Sequence, residues 1–205
     1  MKGLKDRDRL TRLVDLIYEA GMLRKTPRTG YQFLGSGAEN VAEHSFRTAV
    51  CGFILAHMAG ADPAKTAVMC LFHDLHEART GDFNYVNRLY NNADRTRALA
   101  DACQGTGLSG ELLPLWKELE EADTLEARLA QDADQIDFIA NLKEESERGN
   151  TFADDWLTSA LERLRTEQGR ALAERVATTN SADWWFLGPD PSWWARKNGG
   201  SEGEV

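Results

Sequence analysis

Glycine and proline set the limits on this fold. They cut the chain into stretches in which apolar residues recur at three- and four-residue spacing, the period of an amphipathic α-helix. No stretch carries the convincing alternation of a half-buried strand. A first helix is predicted over residues 6–23, with Leu10, Leu13, Ile17 and Met22 as its inward stripe. A second is predicted over 41–58, with Phe46, Val50, Phe53 and Ile54 facing the core and Gly60 just beyond its end. The third opens at Asp62-Pro63, an N-cap followed by proline in the first helical position, turns Ala67, Val68, Leu71, Phe72 and Leu75 inward, and stops before Gly81. Residues 24–40, RKTPRTGYQFLGSGAEN, have the composition of a long irregular connection, and residues 81–92 read as a polar loop. Further helices are predicted over 94–103 and 110–121, the longest over 124–148, and one or two more within 154–178.

No repeat or low-complexity linker divides these segments, and 205 residues suffice for one sizeable core. The expected fold class is therefore all-α, a single-domain helical bundle over residues 1–180. A Trp-rich segment over 181–198 is expected to pack on the bundle or on a partner subunit, because Trp184, Trp185, Trp193 and Trp194 are more readily anchors than base-stacking platforms. Residues 199–205 are expected to be a disordered tail.

Composition removes several function classes. With 24 basic and 33 acidic residues the net charge is −9, and no Lys/Arg block offsets it, so a nucleic-acid polymer is not an expected partner. The longest apolar run, residues 64–72, is interrupted by Lys65 and falls far short of the roughly 20 residues a bilayer requires. The N-terminal MKGLKDRDRLTRL lacks the features of a secretion signal, and three cysteines read as free thiols, so a cytoplasmic protein beginning near Met1 is expected.

Chemistry gathers around the histidines. Of His44, His57, His73 and His76, three adjoin a carboxylate, in Glu43-His44, His73-Asp74 and His76-Glu77. On a helix, Glu77 would lie four residues after His73 and three after Asp74, so the three could share a face, and His44 could join them from the preceding helix. A further carboxylate would come from AQDADQIDFIA. Asp132 lies within the stripe of Leu125, Leu129, Ile136 and Ile139; Asp134 points the other way, among Ala127, Ala130 and Phe138. Periodicity leaves both open. Asp137 reads as a surface acid or a support, as does His76, and His57 as a surface residue.

The ordered set VAEHS, FHDLHEARTGD and DADQIDFI, with PRTGY and ENVAEHS upstream, resembles the HD-domain phosphohydrolases across about residues 10–150, and most nearly their 5′-deoxynucleotidase branch. The resemblance implies a bundle of the HD-domain type and makes His44, His73, Asp74 and Asp134 the ligands of a divalent metal ion, which could be Mn, Co, Mg, Zn or Fe. It places Glu77 and Asp82 by the attacking water and the substrate, and Arg28 against the phosphate. Related enzymes with two metals add histidines after the doublet, and none follows His76, so one ion per chain is expected. The implied activity is release of phosphate from a small phosphomonoester, a deoxynucleoside 5′-monophosphate, by a homodimer. The alternatives are hydrolysis of a nucleoside triphosphate or guanosine tetraphosphate, and a non-catalytic metal-containing nucleotide-binding module. With Arg28 the one clear arginine of the first loop for a phosphate, there is little cation for a polyphosphate, which favours the monophosphate.

Overall fold

The computed structural model describes residues 7–186. Within them the chain forms α1 (Arg9–Met22), a 3-10 turn (Leu23–Lys25), α2 (Tyr31–Leu34), α3 (Val41–Ala59), α4 (Pro63–Phe72), α5 (Glu77–Thr80), α6 (Tyr85–Tyr90), α7 (Arg95–Cys103), α8 (Ser109–Glu121), α9 (Leu125–Glu147), α10 (Thr151–Leu161), α11 (Glu167–Thr178) and α12 (Asp183–Phe186). Among the described residues there is no strand, only an isolated bridge between Pro27 and Asn40. Trp193, Trp194 and the glycine-rich tail lie outside the described residues.

α9 is the axis of the bundle. Leu129, Ala130, Ala133, Ile136, Ile139 and Leu142 are all buried, and α3, α4, α8, α10 and α11 pack around it. Thr124 starts it by accepting a hydrogen bond from the Ala127 amide (3.2 Å). A second cluster, around Leu16, Leu23, Val41, Leu75, Leu99 and Cys103, joins α1 and α7 to the first turn of α3.

α3 begins with a reciprocal cap: Asn40 accepts from the Glu43 amide (3.0 Å) while the Glu43 carboxylate accepts from the Asn40 amide (3.0 Å). This sets the entry angle one residue before His44. The short link 60–62 then folds α4 back onto α3. The two helices touch so closely that a Cβ on Gly52 would lie 2.5 Å from the Cys70 sulfur. Close approach requires small residues at the contact, and the face that α3 buries is made of His44, Ser45, Thr48, Gly52, Leu55 and Ala56.

The apolar stripe predicted as the core of the second helix therefore lies on the other side. Phe46, Val50, Phe53 and Ile54 are exposed, Phe46 by 69%. On the third helix Leu75 is buried and Ala67 and Phe72 are half-buried, while Val68 and Leu71 face outward. On α1, Leu10, Ile17 and Met22 are exposed and only Leu13 of the predicted stripe is half-buried; Leu16 and Arg12 are buried instead. The Arg12 guanidinium is paired with Asp15 (2.9 Å) and donates to the Gln104 carbonyl (2.8 Å), so burial does not orphan it.

Residues 24–40 are folded rather than irregular. The Arg28 amide donates to the Glu39 carbonyl (2.9 Å) and the Val41 amide to the Thr26 carbonyl (3.0 Å), closing the loop at its base. Its far end is held by Asn150, which donates to the Leu34 carbonyl (2.9 Å), and by a bond from Ser36 to buried Glu145. The segment predicted as a polar loop contains α6, capped by Asn84. At the C-terminal end the Ser181 hydroxyl donates to Glu147 (2.5 Å), while Trp184 is exposed.

Candidate metal centre

His73 and its neighbours occupy the point where α4 ends. Residues 73–76 continue as a tighter turn, with i→i+3 backbone bonds from Leu75 to Phe72 (3.2 Å) and from Glu77 to Asp74 (2.9 Å), before α5 resumes. The third helix predicted to run unbroken through the doublet is thus interrupted there. The interruption has a chemical result, because it leaves the Asp74 charge close enough to act on the Glu77 carboxyl.

Three elements bring donors to one point. From α3, His44 Nε2 lies 3.1 Å from Asp134 Oδ1, 3.2 Å from His73 Nε2 and 3.7 Å from Asp74 Oδ2. His73 Nε2 lies 2.9 Å from Asp74 Oδ2. An ion with bonds of about 2.1 Å to nitrogen and oxygen separates adjacent donors by about 3.0–3.4 Å, so this spacing suits a single cation. His44, His73 and Asp134 satisfy the geometry of a cation site on their own, and Glu39, His44 and Asp137 form a second such group sharing His44.

The outer nitrogens are tied back. His44 Nδ1 donates to Asp137 Oδ2 (2.5 Å) and His73 Nδ1 to the Cys70 carbonyl (2.6 Å). Each imidazole thereby aims Nε2 at the centre, where a bound cation would take the place of the Nε2 proton. Asp137 is fully buried, and its other oxygen accepts from Arg47 Nε (2.5 Å). Arg47 also reaches Glu144 (2.9 Å). Of the two roles open to Asp137 in the sequence, surface acid or support, it has the second, and sequence reasoning misses Arg47. The only signal for either is position, each one helical turn after a predicted ligand.

Charge at the centre is strongly perturbed. Burial and the Arg28 charge oppose an imidazolium at His44, yet its hydrogen bonds to Asp134 and Asp137 push it up to about 10. Burial likewise opposes charge on Asp134, but His44 and His73 hold its carboxyl down at about 2. Asp74 is held below the usual carboxylate range against its burial, by His73, His44 and Arg28. The cluster thus keeps two carboxylates ionised and has a place for positive charge between them, which is what a divalent cation supplies.

Glu77 behaves in the opposite way. Burial and the charges of Asp74 and Asp82 push its carboxyl up to about 9, and its Oε2 is buried without a hydrogen-bond partner. Arg28 lies 3.6 Å from Asp74, and its charge is reinforced, against burial, by Asp134, Asp74, Asp82 and Glu77. Asp82 Oδ2 accepts from the Thr29 amide (2.6 Å), so it fixes the turn that carries Arg28.

The two aspartates left open by periodicity are separated by the structure. Both border a cavity of about 640 Å³ lined also by Arg28, His73, Asp74, Glu77 and Asp82, but the Asp134 side chain is 47% exposed and its Oδ1 faces His44 Nε2. Asp132 is 1% exposed, and its oxygens accept from the Arg165 amide (2.8 Å), the Thr166 amide (2.8 Å) and the Thr166 hydroxyl (2.6 Å). Asp132 therefore ties the α10–α11 connection to α9. His76 is buried edge-on against Trp116, its centroid 6.2 Å away, and burial pushes its imidazole down to about 4. His57 is exposed at the end of α3, as expected. Tyr31, Phe33, Phe138 and Trp156 add aromatic surface to the cavity.

Residues 20–176 match the family described as HD domain. Among curated proteins, the chain is 31% identical over 132 residues to 5′-deoxynucleotidase HDDC2 of Dictyostelium discoideum, covering 58% of this chain and 70% of the relative. It is 26% identical over 134 residues to the protein of the same name in Danio rerio, covering 62% of this chain and 66% of that one. The chain thus spans about two thirds of the length of these relatives. Among solved structures, a conserved hypothetical protein from Pyrococcus furiosus is similar with a TM-score of 0.66 and 30% identity, covering 81% of this chain and 99% of that one. A predicted metal-dependent phosphohydrolase from Magnetospirillum magnetotacticum MS-1 is similar with a TM-score of 0.61 and 25% identity, covering 82% and 91%.

Proposed function

The chain belongs to the HD-domain family, and on that premise we propose that it is a metal-dependent phosphohydrolase releasing phosphate from small phosphomonoesters, its substrates being deoxynucleoside 5′-monophosphates. The observation that carries this reading is the convergence of His44, His73, Asp74 and Asp134, the last three lining one cavity with Arg28 and the protonatable Glu77 and His44 buried behind them. The relatives named 5′-deoxynucleotidase support the substrate class, and the nucleobase would meet the aromatic lining.

His44, His73, Asp74 and Asp134 would hold one divalent cation, whose chemistry when bound is Lewis acidity toward a phosphoryl oxygen and acidification of a water. Arg28 binds the remaining phosphate oxygens through its planar fork of donors. Asp82 keeps that fork in place through Thr29 and borders the substrate. Glu77 carries the proton between the attacking water and the departing 5′-oxygen, a role supported by its place in the cavity lining and by an oxygen that no other group engages. The test is to strip the metal and restore manganese, cobalt, magnesium, zinc or iron singly. Phosphate release is then followed from a panel of mono-, di- and triphosphates. Turnover of a deoxynucleoside monophosphate is expected; none with any metal would leave a non-catalytic binding module.

The active form in this reading is a cytoplasmic homodimer. Its support is the apolar outer surface of Leu10, Ile17 and Tyr18 on α1, Phe46, Val50 and Phe53 on α3, and Leu71 on α4, which monomers rarely leave open to water. Among the described residues no helix is long and apolar enough to cross a membrane.

A further inference from the structure

Arg28, Arg88, Arg95, Arg163 and Arg165 line the cavity, and the last four are exposed. Arg28 differs. Its side chain is only 19% exposed, yet among the described residues its guanidinium makes no hydrogen bond. Charge alone brackets it, with Asp74 Oδ2 lying 3.6 Å from Nη1 and Glu39 Oε2 lying 3.9 Å from Nε. Both separations exceed hydrogen-bond reach, so the fork of N–H donors is held between two carboxylates and remains uncommitted. Asp74 is shared with the metal centre, whereas Glu39 is not among the four ligands assigned to it.

Glu39 is itself fixed from several sides. Its carbonyl accepts from the Arg28 amide (2.9 Å), and its Oε1 accepts from Asn141 Nδ2 (2.9 Å). Asn141 lies on α9 one turn after Asp137, whose carbonyl it also meets (3.2 Å). Oε1 comes within 3.8 Å of Arg47, but Arg47 has closer partners in Asp137 and Glu144, which leaves Oε2 facing Arg28. Burial and the Asp137 charge push the Glu39 carboxyl up, against the pull of Asn141, His44 and Arg28. The loop 24–40 thus sets an arginine near its start against a carboxylate near its end, and α9, which carries Asp134, clamps the carboxylate.

We propose that Glu39 is a positioning residue for phosphate binding: it steers the Arg28 guanidinium from behind, by charge rather than by hydrogen bonds, and so leaves the donors of Arg28 free for the phosphate oxygens. This rests on the phosphohydrolase reading above, in which Arg28 meets the phosphate, and extends it to a residue outside the ligand set. Two effects of opposite sign meet at Glu39. Its negative charge borders the cavity and repels a phosphate dianion, whereas its hold on Arg28 favours one. A guanidinium that is already set in place loses less rotamer freedom when the anion arrives, and its planar fork needs one orientation to be bidentate. Positioning wins if removing the charge weakens phosphate binding; repulsion wins if removal tightens it.

The test is equilibrium binding of inorganic phosphate to the full, manganese-loaded chain, with hydrolysis of deoxyadenosine 5′-monophosphate followed in parallel. Glu39→Gln keeps the shape of the side chain, and its amide oxygen can still accept from Asn141, so an unchanged thermal midpoint is expected. Phosphate binding should weaken about fivefold, the upper end of what an exposed ion pair contributes, and KM for the ester should rise with it. Manganese affinity should stay within twofold of the native value. In an Arg28→Ala background the same substitution should no longer weaken phosphate binding, because the group through which Glu39 acts is gone. Binding that is unchanged or tighter in Glu39→Gln, a weakening that persists without Arg28, or a lost metal ion overturns the proposal. The full pattern in phosphate binding, with no ester hydrolysed by the native chain, would instead refute the hydrolase reading and leave the role of Glu39 standing.

Discussion

Replacing Asp137 by asparagine isolates the support of His44 from its ligation. Asp137 is fully buried, with one oxygen 2.5 Å from His44 Nδ1 and the other 2.5 Å from Arg47 Nε. Asparagine keeps the shape but removes the charge, and its amide nitrogen can face Nδ1 and force the proton onto Nε2, the atom aimed at the centre. Loss of a carboxylate behind a ligating imidazole typically costs about 10–100-fold in metal affinity, or about 1.4–2.8 kcal/mol. Arg47 keeps Glu144 at 2.9 Å, so it is not left without an anionic partner, and the fold should survive. Manganese or zinc affinity by competition with a fluorescent chelator, alongside thermal melting, reads the two effects apart. A folded Asp137→Asn protein that binds metal within twofold of the native chain would refute this account of how His44 is oriented.

Glu77→Gln should retain its metal while kcat falls about 10²–10⁴-fold, the range for a lost proton-transfer group; an unchanged kcat removes Glu77 from the mechanism. Asp134→Ala should lose the ion and still fold, whereas Asp132→Ala should keep the ion and lose about 1–3 kcal/mol, because the buried amide and hydroxyl of Thr166 and the part-buried Arg165 amide lose their acceptor. Metal analysis and chemical denaturation of the pair distinguish the two roles, and the reverse pattern would make Asp132 the ligand. Phe46→Glu combined with Phe53→Glu should shift the species seen by sedimentation from dimer to monomer; an unchanged mass places the subunit contact elsewhere. In the metal-free protein, the His44 value of about 10 lies above its ordinary 6.5, so its protonation contributes stability fully present below pH 6.5 and lost as pH rises toward 10. The urea midpoint should therefore fall between pH 7 and 10, and a flat or rising profile would contradict that sign.

Much of the architecture was legible in the residues because it depends on local chemistry. The long helices follow from apolar spacing, and the start of α4 follows from Asp62, whose side chain satisfies amides within the next few residues. The break at residues 73–76 and the helix at 85–90 were not legible, since nothing in their composition distinguishes a 3-10 turn or a six-residue helix from its surroundings.

The inward faces were the least legible. Periodicity finds the most apolar side of a helix, which is the buried side only when the core is purely hydrophobic. On α3 the buried side carries His44, Ser45, Thr48 and Gly52, since it must hold polar chemistry and let α4 approach, while Phe46, Val50 and Phe53 face outward.

The sequence by itself determined a helical chain with histidines and carboxylates in a recognisable order, because helix propensity, capping and side-chain chemistry act between near neighbours. Periodicity left Asp132 and Asp134 open and only the family resemblance chose Asp134, while tertiary structure alone decided what stands behind His44 and which arginines share the cavity. Asp132 and Asp134 are chemically identical and two residues apart, and only the packing of α10 and α11 against α9 gives one of them to a loop and the other to the centre. Long-range contacts of that kind depend on where distant segments come to rest, and no local pattern records it.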